Sequence, residues 1–188
     1  TLAHAGERAG MNVVISTGDK DITQLVTPHV TLVNTMTNEV LDVEGVQRKF
    51  GVPPERIVDY LTLIGDTVDN VPGVPKVGPK TAVKWLTEHG TLQNIVQHAD
   101  AMSGVVGENL RKSLDWLPQA SRLLTVKCDV DLPLDLEQGF ESLAFTAPDT
   151  AVLAQLFERF GFKGWLRELS GEAGATEGDA MSGRSRGA

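Results

Sequence analysis

What the chain lacks narrows its function first. It has a single cysteine, Cys128, so an internal disulfide framework is impossible and the composition suits a reducing cytoplasm. One thiol and four scattered histidines leave no ligand set for a structural zinc site. No apolar run approaches the roughly 18 residues needed for a membrane span. The first ten residues lack the basic-then-apolar layout of a secretory signal, and no repeat recurs at solenoid periods. Positive charge is also in deficit, with 17 Lys and Arg against 25 Asp and Glu and a net charge of −8. Over the whole chain that balance opposes a nucleic-acid partner, because phosphate contacts need cations. Local distribution decides more than the total, however, since a DNA-processing enzyme needs carboxylates for metals as well as cations for phosphates. Between Val71 and Trp85 the charged residues are Lys76, Lys80 and Lys84, with no acid among them.

What is present fits one ordinary globular domain, with 41% hydrophobic and 22% charged residues. Thr1 to Met11 reads as the end of a helix running straight into a strand, as if cut from something longer. The β-branched run Asn12–Ser16 suits a buried parallel strand, followed by the turn-forming loop Thr17–Asp21. Ile22–Val26 suits one or two helical turns. Val30–Val33 suits a second strand, and Glu39–Leu41 a short third. From Asp42 the pattern becomes helical. Asp42 is an N-cap for a helix stopped at Gly51, and Pro53-Pro54 opens a helix with Ile57, Leu61 and Ile64 on one face. Gly78-Pro79 opens another, closed by Gly90, and Thr91 caps a short one. Gly107–Lys127 is helical with a break expected at Pro118. Pro148–Phe160 forms a last amphipathic helix, with Val152, Leu153, Leu156 and Phe157 on one side. Residues 169–188 read as a disordered linker or tail.

Three segments carry chemistry. In Gly65-Asp66-Thr67-Val68-Asp69-Asn70, two carboxylates at i, i+3 converge on one face, and hard divalent cations want such oxygens. The plainer alternative is a loop capped by its own aspartates. Asp19-Lys20-Asp21 lies where α/β sheets put their sites, past the C-terminal end of a strand. Alone it reads equally as a solvated turn. Val71–Ala82 is a Gly-bearing hairpin that ends on a helix N-terminus, a ready anion site. Lys80 in that first helical turn is unfavourable for the helix dipole unless a phosphate is bound there. No strand precedes the first glycine and a proline precedes the Lys-Thr pair, so this is not a nucleotide-binding P-loop. A hairpin that merely packs is the alternative.

In order along the chain, several motifs together resemble the 5′-nuclease domain of bacterial DNA polymerase I. They are Thr17-Gly18-Asp19-Lys20-Asp21 with Leu25-Val26, then Val33-Asn34 and Phe50-Gly51-Val52-Pro53-Pro54. Gly65-Asp66-x-x-Asp69-Asn70-x-Pro72-Gly73-Val74, Val77-Gly78-x-Lys80-Thr81-Ala82 and Phe162-Lys163-x-Trp165 follow. The resemblance spans roughly residues 11 to 168. It implies an α/β fold, with residues 1–41 as the C-terminal part of a PIN-like core. Residues 42–168 would form a helical, SAM-like subdomain with a helix–hairpin–helix module. The implied activity is metal-dependent hydrolysis of 5′ ends and 5′ flaps of DNA in replication and repair, with Mg²⁺ or Mn²⁺ of the two-metal type.

By matching positions, Asp19, Asp21, Asp66 and Asp69 are the implied metal ligands, with Asp66 and Asp69 nearest the catalysis. Gly73, Val74, Lys76 and Gly78 of the hairpin, with Lys80, Thr81 and Lys84 of the helix, are the implied grip on duplex phosphates. A K⁺ ion on the hairpin carbonyls belongs to the same picture. So do a monomeric state, fusion to polymerase domains and a cytoplasmic location. Two departures stand out. Lys76 occupies a hairpin position where relatives carry a small residue; were its φ positive, that would cost about 1 kcal/mol. The family's remaining carboxylates and its basic arch would precede Thr1, and only Glu7 comes before Asp19, so the expectation is a truncated chain that cuts poorly. Two readings compete with the nuclease: a non-catalytic helix–hairpin–helix DNA-binding module, and a phosphoacceptor or nucleotide-binding α/β domain that uses Asp19. The latter leaves the hairpin unexplained.

Overall fold

The computed structural model describes residues 1–133 and 139–171. The tail expected over 169–188 therefore lies, from residue 172 on, outside the described residues. The chain divides into two compact units, Thr1–Leu134 and Asp135–Ala188.

In the first unit, helix α1 (Leu2–Arg8) leads into strand β1 (Val13–Ser16). A 3₁₀ turn (Asp21–Leu25) follows, then β2 (Val30–Asn34) and β3 (Glu39–Leu41). The sheet order is β1-β2-β3, with β1 parallel to β2 and β2 antiparallel to β3. The α/β character and all three strands were legible from β-branched runs and turn residues. Burial of β1 was not: Val14 is 66% exposed, because β1 is an edge of the three-strand sheet and its outer side chains meet no covering layer among the described residues. Val30 and Leu32 on β2, by contrast, are fully buried.

The helices obey their local signals. Asp42 caps α2 (Val43–Phe50) by accepting the Gly45 N–H at 2.7 Å, and Gly51 ends it with φ 77°. Pro54–Arg56 makes one 3₁₀ turn before α3 (Ile57–Ile64). Ile57, Tyr60, Leu61, Thr62 and Leu63 are all buried, so α3 is a central helix rather than an amphipathic one. Thr62 satisfies its hydroxyl within the helix, donating to the Val58 carbonyl at 2.7 Å. Next come β4 (Gly65–Asp66), β5 (Val71–Pro72), α4 (Pro79–His89) and α5 (Leu92–Gln97), which Thr91 caps. Helices α6 (Gly104–Ser113) and α7 (Leu117–Leu124) complete the unit. The break between them falls at Leu114–Trp116, before Pro118. The proline sits in the first turn of α7, where its missing N–H has no intrahelical partner to lose.

One hydrophobic core joins sheet and helices. Leu32 and Leu41 of the sheet belong to the same buried cluster as Leu61, Trp85, Ile95, Leu110 and Leu117. Each fully buried aliphatic side chain there contributes roughly 1.5–3 kcal/mol.

The second unit contains α8 (Thr150–Phe160), capped by Asp149, and α9 (Lys163–Leu169), which sequence periodicity did not reveal. The apolar side expected for α8 stays open: Val152 and Leu156 are exposed, and no residue of either helix is buried. Phe157, Phe162 and Trp165 instead pack against one another at steep ring angles, the closest centroids being Phe162 and Trp165 at 4.9 Å.

Candidate metal centre and nucleic-acid interface

The first half of the site starts where β1 stops. Asp19 donates its N–H to the Thr17 hydroxyl at 3.0 Å, and its own Oδ1 accepts the Asp21 N–H at 3.0 Å. These local bonds turn the chain so that Asp21 opens the 3₁₀ turn. Gln24, one turn on, ties that segment to the helices. Its Nε2 donates to the Asp21 carbonyl at 2.7 Å and to the Leu124 carbonyl at 3.0 Å, while its Oε1 accepts the Val126 N–H at 3.0 Å.

The second half is a two-residue antiparallel ribbon, with Gly65 opposite Pro72 and Asp66 opposite Val71. Its turn carries Asp69 and Asn70, the latter at φ 55°. Asp66 is 2% exposed. Its Oδ1 accepts the Val68 N–H at 2.9 Å, and its Oδ2 pairs with Lys20 Nζ at 2.7 Å. The ribbon brings Asp66 and Asp69 to Asp21, so that one carboxylate oxygen from each lies within 4.8 Å of the others. Asp19 lies at the rim of the same open cleft of about 340 Å³, with Gly18, Lys20, Asp66, Val68 and Asp69. Three of the four expected ligands thus converge, and the fourth, Asp19, lines the cleft beside Asp66 and Asp69 while its Oδ1 accepts the Asp21 N–H.

The acidities record the crowding. Burial is the main cause that pushes Asp21 up to about 6, and the charges of Asp19 and Asp66 and contact with Asp69 add to it. Burial also pushes Asp66 upward, but the Lys20 hydrogen bond and charge, with the Val68 and Asp69 N–H groups, outweigh it and hold Asp66 below the ordinary carboxylate range. Lys20 is raised, first by its hydrogen bond to Asp66 and against some burial. Asp21 Oδ1 is buried with no hydrogen-bond partner among the described residues. A buried acceptor without a donor, amid carboxylates that repel one another, fits a hard divalent cation bound through oxygen. Lys20, which the sequence reading left out of the site, is the cation that pairs with Asp66 there. Its only signal was a cation set between two candidate ligands.

The hairpin from Gly73 to Gly78 adjoins the ribbon directly. A Cβ on Gly73 would lie 2.3 Å from the Gly65 nitrogen, and one on Gly65 would lie 2.4 Å from the Gly73 nitrogen. Two bare backbones therefore touch at this point, and Gly65 also needs its φ of 80°. Val74 donates its N–H to the Leu63 carbonyl at 2.9 Å and accepts the Val77 N–H at 3.0 Å. Its side chain is buried and anchors the hairpin in the core, which leaves only its backbone for the expected contact. Trp116 Nε1 donates to the Pro72 carbonyl and Asn109 Nδ2 to the Pro75 carbonyl, both at 2.7 Å. Lys76 stands exposed at φ 65°. Gly78 is the N-cap of α4 with no side chain capping it, and Pro79 is the first helical residue. Lys80 and Lys84 project from the outer face of α4, while Ala82, Trp85 and Leu86 are buried on the inner one. Thr81 is half-buried. Lys84 pairs weakly with Glu88 at 3.8 Å; Lys76 and Lys80 have no ion pair among the described residues.

Comparison with known proteins matches residues 52–151 to the family model described as 5′-3′ exonuclease, C-terminal SAM fold. The chain belongs to the 5′-3′ exonuclease family. DNA polymerase I of Pseudomonas aeruginosa is 41% identical over 185 residues, which cover 92% of this chain and 19% of that protein. The 5′-3′ exonuclease of Aquifex aeolicus is 36% identical over 168 residues, covering 89% of this chain and 56% of that one. The chain therefore spans about a fifth of the polymerase relative and about half of the exonuclease relative. Bacteriophage T5 D15 flap endonuclease, solved in a complex with DNA and metal ions, superimposes with a TM-score of 0.60 at 21% identity. That match covers 65% of this chain and 47% of the phage enzyme, and it supports the shared exonuclease fold.

Proposed function

We propose that this chain acts in metal-dependent hydrolysis of phosphodiester bonds at 5′ ends and 5′ flaps of DNA, as part of replication and repair. The observation that carries the reading is the convergence of Asp21, Asp66 and Asp69 in one carboxylate cluster, whose ribbon meets a lysine-bearing hairpin backbone on backbone. Asp21, Asp66 and Asp69 would hold Mg²⁺ or Mn²⁺, with Asp19 completing the set from the rim for a second ion. A divalent cation bound there supplies Lewis-acid polarisation and charge neutralisation at a phosphoryl group. The protein's own part is positioning. Lys76, Lys80 and Lys84, with the uncapped start of α4, would hold duplex phosphates; Gly78 would let the backbone approach them closely, Thr81 would offer its hydroxyl, and Gly73 would set the hairpin against the ribbon.

A K⁺ ion at the hairpin belongs to this reading. The Pro72, Val74 and Pro75 carbonyls already accept hydrogen bonds, so the ion would share those oxygens or use their neighbours. The working partner is a nicked or 5′-flapped duplex, bound by a monomer in the cytoplasm.

Incubation of a 5′-labelled flap duplex with Mg²⁺ or Mn²⁺ tests this. Cleavage should vanish in a chelator and fall by at least about a hundredfold in the Asp66→Asn, Asp69→Asn double variant. Cleavage that survives both treatments would sink the metal-centre reading. Metal-independent, salt-sensitive binding with no cleavage would point to a DNA-binding module instead.

A further inference from the structure

Lys20 has no place in the ligand set, yet it makes the closest contact in the cleft. Its ammonium lies 2.7 Å from a carboxylate that is almost wholly withdrawn from water. A buried carboxylate without a partner is strongly destabilising, and among the described side chains Lys20 is the only cation paired with Asp66. The charges of Asp21 and Asp69 act on the same ammonium. Lys20 is therefore placed against the whole cluster. It is a partial remedy, because Asp21 Oδ1 is left with no partner among the described residues. One tethered unit charge serves Asp66, while a divalent ion could serve all three carboxylates.

We infer that Lys20 is a built-in counter-ion that keeps Asp66 in its ligand position when no divalent cation is bound, and that competes with the incoming cation for it. The inference rests on reading Asp21, Asp66 and Asp69 as a divalent-cation site. Two cations cannot share one carboxylate edge at a few ångströms without repulsion. Metal entry must thus displace or deflect the ammonium, and by reciprocity whatever removes the ammonium favours the metal. Lys20 is then a positioning residue that sets the threshold concentration of metal. An ordinary structural role would act with the opposite sign: removing a packing residue loosens a site and weakens its metal.

The test is a Mn²⁺ titration of the full chain, read by electron paramagnetic resonance of free Mn²⁺, with Lys20→Met and Lys20→Arg beside the unmodified protein. Thermal unfolding with and without Mn²⁺ is measured on the same samples. Lys20→Met should bind Mn²⁺ about three- to tenfold more tightly, a modest factor because the Lys20 ammonium is partly exposed and screened. Without metal it should melt lower, and it should gain more from saturating Mn²⁺ than the unmodified chain does. Lys20→Arg, which keeps the charge, should stay within about twofold of the unmodified affinity. Equal or weaker Mn²⁺ binding by Lys20→Met overturns the inference. Should Lys20→Met be unfolded without metal, refolding on addition of Mn²⁺ supports it, and failure to refold counts against it. No Mn²⁺ binding by the unmodified chain would remove the metal site itself, an outcome distinct from equal binding by both.

Discussion

At the scale of single residues, Asp21 and Asp66 belong to one carboxylate cluster and respond to pH in opposite senses. Asp21 holds its proton up to about 6 in the folded chain, against an ordinary 3.8. The folded state thus binds more protons than the unfolded one between about pH 4 and about pH 6, and its stability falls as pH rises through that window. Asp66 lies below its ordinary value, so its contribution is fully present above that value and is lost as pH falls through the folded one. Metal-free protein should lose stability between about pH 4 and about pH 6, whereas Mn²⁺-saturated protein should gain it there, because ligands must be deprotonated. Asp21→Asn should flatten both slopes and add on the order of 1 kcal/mol to the metal-free form, the full value being trimmed by water around a partly exposed group. Thermal melts across that range, with Mn²⁺ and with a chelator, check each sign.

Lys76 poses a different single-residue trade. Its φ of 65° is the one the sequence flagged as costly for a side chain. Lys76→Gly should stabilise the chain by up to about 1 kcal/mol in denaturant melts while weakening DNA binding. Stabilisation with unchanged affinity would remove Lys76 from the DNA grip.

At the scale of elements, the decisive contact is between ribbon and hairpin. Gly73→Ala has no space for its methyl group against the Gly65 and Ile64 backbones. It should cost more than about 2 kcal/mol and weaken both Mn²⁺ and DNA binding. A fully stable Gly73→Ala protein would show that the two backbones part easily. How far the elements were legible follows their range of interaction. Asp42, Thr91, Gly51 and Pro79 act within one turn, so their roles could be read in order along the chain. The Lys20–Asp66 pair depends on a ribbon folding back over a distant loop, and no spacing rule encodes that. Helix α9 escaped because its seven residues are too few to show a period. The exposure of Val14 escaped because a β-branched run looks alike at an edge and at the centre of a sheet.

At the scale of the molecule, the proposed function asks a net charge of −8 to coexist with binding to a polyanion. The chain separates the signs: carboxylates gather in the cleft and lysines on the hairpin and the outer face of α4. Duplex affinity should fall with salt at a slope of roughly −3 on logarithmic axes, the value for three lysine–phosphate contacts. It should also rise when Mn²⁺ neutralises the cleft. A slope near zero, or affinity indifferent to Mn²⁺, would mean that the lysine face is not the grip.

The meeting of Gly65 and Gly73 has one more consequence. Side-chain contacts can swing between rotamers, but two main chains in contact leave nothing to swing. If the hairpin seats one phosphate and the aspartates act on another, the interval between them works as a ruler graduated in whole nucleotides. Incision would then fall at a constant count from the gripped position, whatever the temperature or the base sequence.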